Sequence, residues 1–179
     1  MNEIEERKIK IANYFKDKKI FIYVILAFIA FFTYYLRTRH LHLLKDIVTN
    51  DYTPIDLDSY SFLRYAQQVV DTGKVVAHDA MRYFPIGYDT SGENIFVSYF
   101  IAYLYKFLSI FNKDITLNYV DVIYPAIATA IGIVFFFLLV RKLFDYRVAL
   151  LASFLLSVIP TFLYRTMSPD KEALGAMFM

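Results

Sequence analysis

The sequence of 179 residues contains no cysteine. It can therefore form neither a disulfide framework nor a thiolate metal site, so a bound metal ion would need oxygen or imidazole ligands. The sequence also lacks a glycine-rich phosphate loop, an internal repeat and a low-complexity run. These absences exclude disulfide-stabilised scaffolds and metal sites built on cysteine thiolates, and nothing in the sequence indicates a phosphate-binding loop.

Apolar residues, by contrast, make up 58% of the chain, with 18 Phe and 16 Tyr. That share is too high for an ordinary soluble domain and indicates a membrane protein. The net charge of +2 says little, because orientation depends on where Lys and Arg lie relative to the apolar runs. We expect membrane lipid, and no nucleic acid, as a partner.

Three apolar runs predict transmembrane helices, at residues 20–36, 120–140 and 148–164. Residues 1–19, before the first run, are rich in Lys and Arg. The short connection 141–147 holds three basic residues and one acid. Because basic loops stay in the cytoplasm, we predict that both of these segments are cytoplasmic.

A fourth apolar run, residues 95–111, is ambiguous because Lys106 lies well inside it. If it crossed the membrane, the connection 141–147 would face outside. We instead expect an interfacial or re-entrant segment, with the Lys106 ammonium group extending to water. Residues 37–119 then form a large external loop and 165–172 a second one, and 173–179 would begin a truncated transmembrane helix.

Two acidic pairs lie beside the apolar runs, Asp56 with Asp58 and Asp170 with Glu172. Carboxylates are costly in hydrocarbon, so they should mark a site at the water boundary. The predicted topology places both pairs on the same external side. Because a hard divalent cation prefers several carboxylate oxygens, the two pairs could share one metal ion.

Each acidic pair also has a purely structural interpretation. Asp58 could be the N-cap of a helix that Gly73 ends with a left-handed C-cap. Ser168 and Pro169 could cap a helix whose first turn favours acids through its dipole.

Two arginines near the acidic pairs also leave two interpretations open. Arg64 and Arg165 could bind a phosphate through paired hydrogen bonds, or face lipid headgroups.

Two motifs in the chain resemble the catalytic subunit of oligosaccharyltransferase of the archaeal type. The first is Asp-Leu-Asp-Ser-Tyr-Ser-Phe-Leu-Arg at residues 56–64, which resembles the acidic helix that opens that family's first external loop. The second is Tyr-Arg-Thr-Met-Ser at 164–168, followed by Asp-Lys-Glu-Ala-Leu at 170–174. It resembles the family's second external loop, and the two motifs occur in the same order.

The resemblance implies an all-α polytopic membrane protein, the N-terminal transmembrane helices of a GT-C glycosyltransferase. It implies a metal-dependent transfer of oligosaccharide from a dolichol-linked phosphate or pyrophosphate to Asn in Asn-x-Ser/Thr, on the extracytoplasmic face of the cell membrane. Asp58, Asp170 and Glu172 would match metal positions for Mn²⁺ or Mg²⁺, with Asp58 also catalytic. Arg165, and more weakly Arg64 and Asp56, would contact the substrates.

The family also has more transmembrane helices and a soluble domain with a Trp-Trp-Asp motif, whereas this sequence has no Trp and stops at Met179. We therefore expect the N-terminal part of the enzyme, inactive by itself. Two alternatives remain at this point. One is another GT-C transferase acting on lipid-linked sugars, and the other is a non-catalytic membrane assembly subunit whose acids only cap helices.

Overall fold

The computed structural model describes residues 18–178 of the chain. Within that range the regular secondary structure is helical, apart from two strands of two residues each, β1 (His78–Asp79) and β2 (Tyr88–Asp89). These pair antiparallel, with His78 opposite Asp89. The α-helices are α1 (Lys18–Thr38), α2 (Leu57–Thr72), α3 (Phe96–Phe111), α4 (Leu117–Leu143), α5 (Tyr146–Val158), α6 (Pro160–Arg165) and α7 (Lys171–Phe178).

Among the described helices, α1 and α4 are long and apolar enough to cross a membrane. The apolar segment of α1 continues through a 3₁₀ turn at Leu41–Leu44. α4 begins before the predicted run because the Thr116 hydroxyl accepts a hydrogen bond from the Tyr119 N–H at 3.1 Å. The predicted helices at 20–36 and 120–140 are present, and the all-α fold class is confirmed.

α1 and α4 run antiparallel. At one end Arg141 Nη1 donates to the Tyr23 hydroxyl at 2.8 Å. At the other end Leu41 packs in one cluster with Val122 and Ile123. The chain therefore leaves α1 and enters α4 at the same end of the bundle, here called the loop end.

The third apolar run is helical but divided, so the helix predicted over 148–164 is interrupted near its end, and its crossing of the membrane stays a prediction. α5 stops at Val158, and Ile159 has ψ 122, outside the helical region. Pro160 lacks an N–H, and its ring disfavours helical backbone in the preceding residue. A new short helix, α6, therefore starts at Pro160.

The predicted connection 141–147 is shorter in the structure. Arg141 and Lys142 belong to the last turn of α4, and α5 begins at Tyr146. The Asp145 carboxylate accepts the Val148 N–H at 2.8 Å and caps α5. Arg141 and Lys142 therefore lie at a helix C-terminus, where the dipole favours positive charge, whereas Arg147 is in the first turn of α5. The side of the membrane on which they lie remains a prediction, and residues 1–17 of the predicted cytoplasmic segment fall outside the described residues.

The predicted first loop folds into a helical pair beside α4. α2 and α3 share an apolar core that includes Ala66, Val69 and Ile101. Gly73 has φ 82 and donates its N–H to the Val69 carbonyl at 3.0 Å, so the predicted C-cap is confirmed. Lys106 Nζ extends to that same carbonyl at 3.4 Å. α3 has 16 residues, which is short for a membrane crossing. Its interfacial position remains a prediction.

Candidate functional site

The first acidic pair lies at the start of α2. Asp56 occupies the N-cap position in extended backbone, but its carboxylate makes no capping hydrogen bond. Asp58 lies in the first helical turn and is exposed. The suggested N-cap role of Asp58 is therefore wrong, although its charge still suits the helix dipole. Neither carboxylate of the pair is used to cap α2.

The second acidic pair lies at the start of α7. The helix begins at Lys171, so the suggested capping by Ser168 and Pro169 is also wrong. A tight turn precedes the helix instead, in which the Asp170 N–H donates to the Ser168 carbonyl at 2.8 Å. The Asp170 carbonyl accepts a hydrogen bond at 2.8 Å from the buried hydroxyl of Tyr124, in α4.

A cavity of about 240 Å³ lies between these two segments at the loop end. The hydroxyl oxygens of Ser59 and Ser168 lie 3.5 Å apart and connect the segments directly. The cavity therefore brings together side chains that are more than 100 residues apart in sequence. Its lining consists of Ile55, Asp56, Tyr164, Arg165, Met167, Ser168, Asp170 and Glu172.

Four of the six predicted site residues line this cavity, namely Asp56, Arg165, Asp170 and Glu172. Asp58 lies two residues beyond Asp56 and does not contribute to the lining. An acid and a base are close to each other here, because Arg165 Nη1 lies 3.8 Å from Glu172 Oε1. The Arg165 side chain is 67% exposed, so this is a loose ion pair that a bound anion could replace.

Glu172 has the most perturbed environment among the lining acids. Burial raises the pKa of its carboxyl above the ordinary value of 4.5, and the neighbouring Asp170 carboxyl raises that pKa further. Its Oε2 atom is buried without a hydrogen-bond partner within the part of the chain that the structure describes. A carboxylate oxygen of this kind is available to a cation or to a polar group of a ligand.

Arg64, predicted to contact substrate, does not line the cavity. It forms an ion pair with Asp79, whose side chain is almost fully buried at the start of the β1–β2 hairpin. Asp79 also accepts a hydrogen bond from the Tyr65 hydroxyl at 3.3 Å. Arg82 binds the same hydroxyl and forms an ion pair with Glu93 at 2.8 Å. In this structure Arg64 therefore attaches the hairpin to α2.

The carboxylates suit a hard divalent cation by type. Across residues 18–178, however, no three acidic or histidine side chains approach closely enough to hold one ion. Mg²⁺ commonly uses one or two carboxylates, with water and substrate phosphate completing its ligands. The adjacent Asp170 and Glu172 fit that kind of site, whereas they do not form a complete protein cage.

Several residues in or beside the cavity could not be identified from the sequence. Ile55 reads as an ordinary apolar residue of the predicted external loop 37–119, and Tyr164 as the last residue of the predicted helix 148–164. Tyr124 lies inside the predicted span 120–140, and its bond to Asp170 joins residues 46 positions apart. Ser59 and Ser168 belong to the two motifs, which was the one hint that the motifs meet.

A family model described as "Oligosaccharyl transferase STT3, N-terminal" matches residues 19–178. The matched stretch includes both segments that form the cavity and nearly the whole of every described helix. No curated protein matches the chain.

Proposed function

Because this chain belongs to the STT3 oligosaccharyl transferase family, we propose that it transfers an oligosaccharide from a dolichol-linked phosphate or pyrophosphate to the Asn of Asn-x-Ser/Thr in proteins. The observation that carries the proposal is the cavity in which Asp56 meets Arg165, Asp170 and Glu172. The membership confirms the family expected from the two motifs. It also makes the chain a glycosyltransferase-family membrane protein.

The proposed location is a cell membrane that the chain crosses several times, with the cavity on the extracytoplasmic side. Two observations support it. The cavity lies at the loop end of α1 and α4, and the basic residues Arg141 and Lys142 lie at the opposite end. Basic segments prefer the cytoplasm, which puts the cavity outside and leaves membrane lipid around the apolar faces of the helices.

Arg165 is proposed to bind the donor phosphate. It is an exposed guanidinium beside the cavity, and its present partner Glu172 is 3.8 Å away. A phosphate would offer shorter, paired hydrogen bonds, which are stronger than this loose contact. Leaving-group charge would then develop next to a fixed cation, which lowers the barrier for breaking the sugar–phosphate bond.

Asp58 and Asp56 are proposed to act on the acceptor. The amide nitrogen of Asn is a poor nucleophile because its lone pair is conjugated with the carbonyl group. Carboxylates that accept hydrogen bonds from the amide N–H groups oppose that conjugation and favour attack on the sugar. Asp58 is exposed at the start of α2 and Asp56 lines the cavity, so both carboxylates are available for such bonds. Arg64 is proposed as a weaker substrate contact, through rearrangement of its bond to Asp79.

A divalent cation, Mn²⁺ or Mg²⁺, is proposed to bind Asp170 and Glu172, with Asp58 as the ligand from the first loop. Such an ion would neutralise charge on the departing phosphate. Asp56 lines the cavity and Asp58 does not, so Asp56→Asn and Asp58→Asn should be compared for Mn²⁺ affinity. If both variants bind Mn²⁺ as tightly as the wild type does, neither acid of the first loop is a ligand of the ion.

The decisive experiment supplies the full-length protein, in liposomes, with a dolichol-linked oligosaccharide and a fluorescent peptide containing Asn-x-Thr. We expect a slower-migrating glycopeptide, absent when the peptide carries Gln instead of Asn. Asp58→Asn, Asp170→Asn and Glu172→Gln should abolish most of the product, because each removes a charge at the proposed site.

Asp71→Asn provides the matched control. Asp71 is an exposed acid on the same helix as Asp58, and it accepts a hydrogen bond from Gln67 at 2.9 Å. Its loss should leave transfer unchanged. If the wild type produces no glycopeptide from any dolichol-linked donor, the proposed reaction is wrong. If Asp58→Asn behaves like Asp71→Asn, Asp58 is not catalytic.

A further inference from the structure

Arg37, in the last turn of α1, is among the most buried side chains described, with 2% of its surface exposed. Burying a guanidinium is costly unless its N–H groups find acceptors. No carboxylate forms an ion pair with Arg37 within residues 18–178. Neutral acceptors instead bind its Nε and Nη1 atoms, while Nη2 is buried without a hydrogen-bond partner among the described residues. The identity of those acceptors indicates what Arg37 does.

Three helices provide groups that contact the guanidinium of Arg37. Nη1 donates to the Thr33 carbonyl in α1 at 3.3 Å and to the Ser157 carbonyl in α5 at 3.4 Å. The guanidinium also lies over the ring of Phe162 in α6, 5.4 Å from its centre. Ser157 is in the last turn of α5, where carbonyls lack a partner in their own helix. Arg37 therefore binds at the helix break caused by Pro160.

The shortest bond of Arg37 leads towards the cavity. Nε donates to the Thr166 hydroxyl at 2.8 Å, and that hydroxyl donates in turn to the Phe162 carbonyl at 2.7 Å. Thr166 is 1% exposed, so water does not compete for these bonds. The residues on either side of it, Arg165 and Met167, both line the cavity.

We propose that Arg37 is a positioning residue which, through Thr166, holds Arg165 and Met167 against the cavity in the geometry that binds the donor phosphate. This inference rests on the proposed function for its effect on catalysis. Its geometric part, that Arg37 orders the segment 165–167, stands independently. Arg37 itself does not line the cavity and acts only through Thr166.

The test uses four variants of the full-length protein. Arg37→Met keeps much of the length and removes every donor, and Thr166→Val keeps the shape and removes the hydroxyl. Thr166→Ser restores the hydroxyl and should rescue. Thr129→Val is the matched control, because the buried Thr129 hydroxyl donates to the Pro125 carbonyl four residues earlier, at 2.7 Å, as Thr166 does to Phe162.

The first measurement does not depend on activity. Because residues 1–179 contain no cysteine, Met167→Cys introduces a single thiol into this part of the protein. The rate of maleimide labelling, read from the peptide that contains position 167, reports on the order of the segment. Loss of a buried hydrogen bond to a charged group should raise that rate about tenfold in the Arg37→Met and Thr166→Val backgrounds. The Thr166→Ser and Thr129→Val backgrounds should match the parent.

The second measurement separates KM from kcat in the transfer assay. Arg37→Met and Thr166→Val should raise the KM for the lipid-linked donor about tenfold, because the phosphate contact is misplaced, and should change kcat less. If both variants match Thr129→Val in labelling rate and in KM, Arg37 has only a structural role and the inference is overturned. If labelling follows Arg37 while the wild type transfers no sugar, the positioning stands and the proposed function fails.

Discussion

The contact between α4 and α7 is close enough to make a single methyl group informative. A Cβ atom added at Gly132 would lie 2.9 Å from the Ala176 carbonyl oxygen and 3.1 Å from the Met177 Cα. Both neighbours are backbone atoms, which cannot rotate away as a side chain can. Gly132→Ala therefore requires α7 to move by a few tenths of an ångström.

Gly175→Ala is the matched control for this change. It replaces a helical glycine in α7, the other helix of this contact, but nothing lies within 4 Å of the added Cβ. Both substitutions share the gain in helix propensity, which is up to about 1 kcal/mol. The difference between them isolates the clash, which should cost about 1–3 kcal/mol, as overpacking does in other cores.

Thermal unfolding followed by circular dichroism in detergent measures that difference. For a chain of this size about 1 kcal/mol shifts Tm by roughly 2–4 °C, so Gly132→Ala should unfold roughly 2–12 °C below Gly175→Ala. Because α7 begins directly after Asp170 and carries Glu172 in its first turn, the same displacement should weaken Mn²⁺ binding in Gly132→Ala alone. Equal Tm values for the two variants would refute the close packing of α4 against α7.

Two further predictions concern single charges. The raised pKa of Glu172 means that the folded protein binds a proton more tightly than the unfolded chain does, so stability should fall as the pH rises from 4.5 towards that higher pKa. Urea unfolding with a chelator present measures this dependence of stability on pH, and Glu172→Gln should make it weaker. If Glu172→Gln leaves the dependence unchanged, another group causes it. Arg64→Gln leaves the buried carboxylate of Asp79 with two neutral donors, the Tyr65 hydroxyl and the Met81 N–H, and should cost about 1–2 kcal/mol, since Arg64 is partly exposed. If Arg64 only stabilises the hairpin, Arg64→Gln should leave the KM for the lipid-linked donor unchanged. If Arg64→Gln raises this KM more than Asp79→Asn does, the result supports a substrate contact of Arg64.

Much of the fold could be predicted because apolar runs and local helix signals depend on neighbouring residues. The runs at 20–36 and 120–140 gave the two long helices, and Gly73 gave the end of α2. Helix starts were less predictable. Asp58 and Ser168 both have good capping side chains, yet α2 begins at Leu57 and α7 at Lys171. Contacts between residues distant in sequence, such as that between Ser59 and Ser168, are not visible to local helix signals.

The candidate site was predicted in part for the same reason. The two acidic motifs identify residues that could bind a cation or a phosphate, and topology placed both motifs at one end of the helices. Which carboxylate of the first pair lines the cavity depends on the start of α2. The resemblance favoured Asp58 over Asp56 as the metal-binding and catalytic residue, and in the structure Asp56 lines the cavity. The pairing of Arg64 with Asp79 depends on the hairpin, whose two strands are too short to give a pattern.

The break at Pro160 shows where local reasoning ends. The proline is visible in the sequence, and the loss of its N–H makes an interruption of the helix expected. The interruption leaves the Ser157 carbonyl without a partner in its own helix, and that carbonyl must be satisfied within an apolar bundle. The donor is Arg37, 120 residues earlier in the chain, and the same guanidinium binds Thr166 beside the cavity. The irregular helix therefore creates the acceptor that fixes Arg37, and Arg37 in turn fixes the cavity wall.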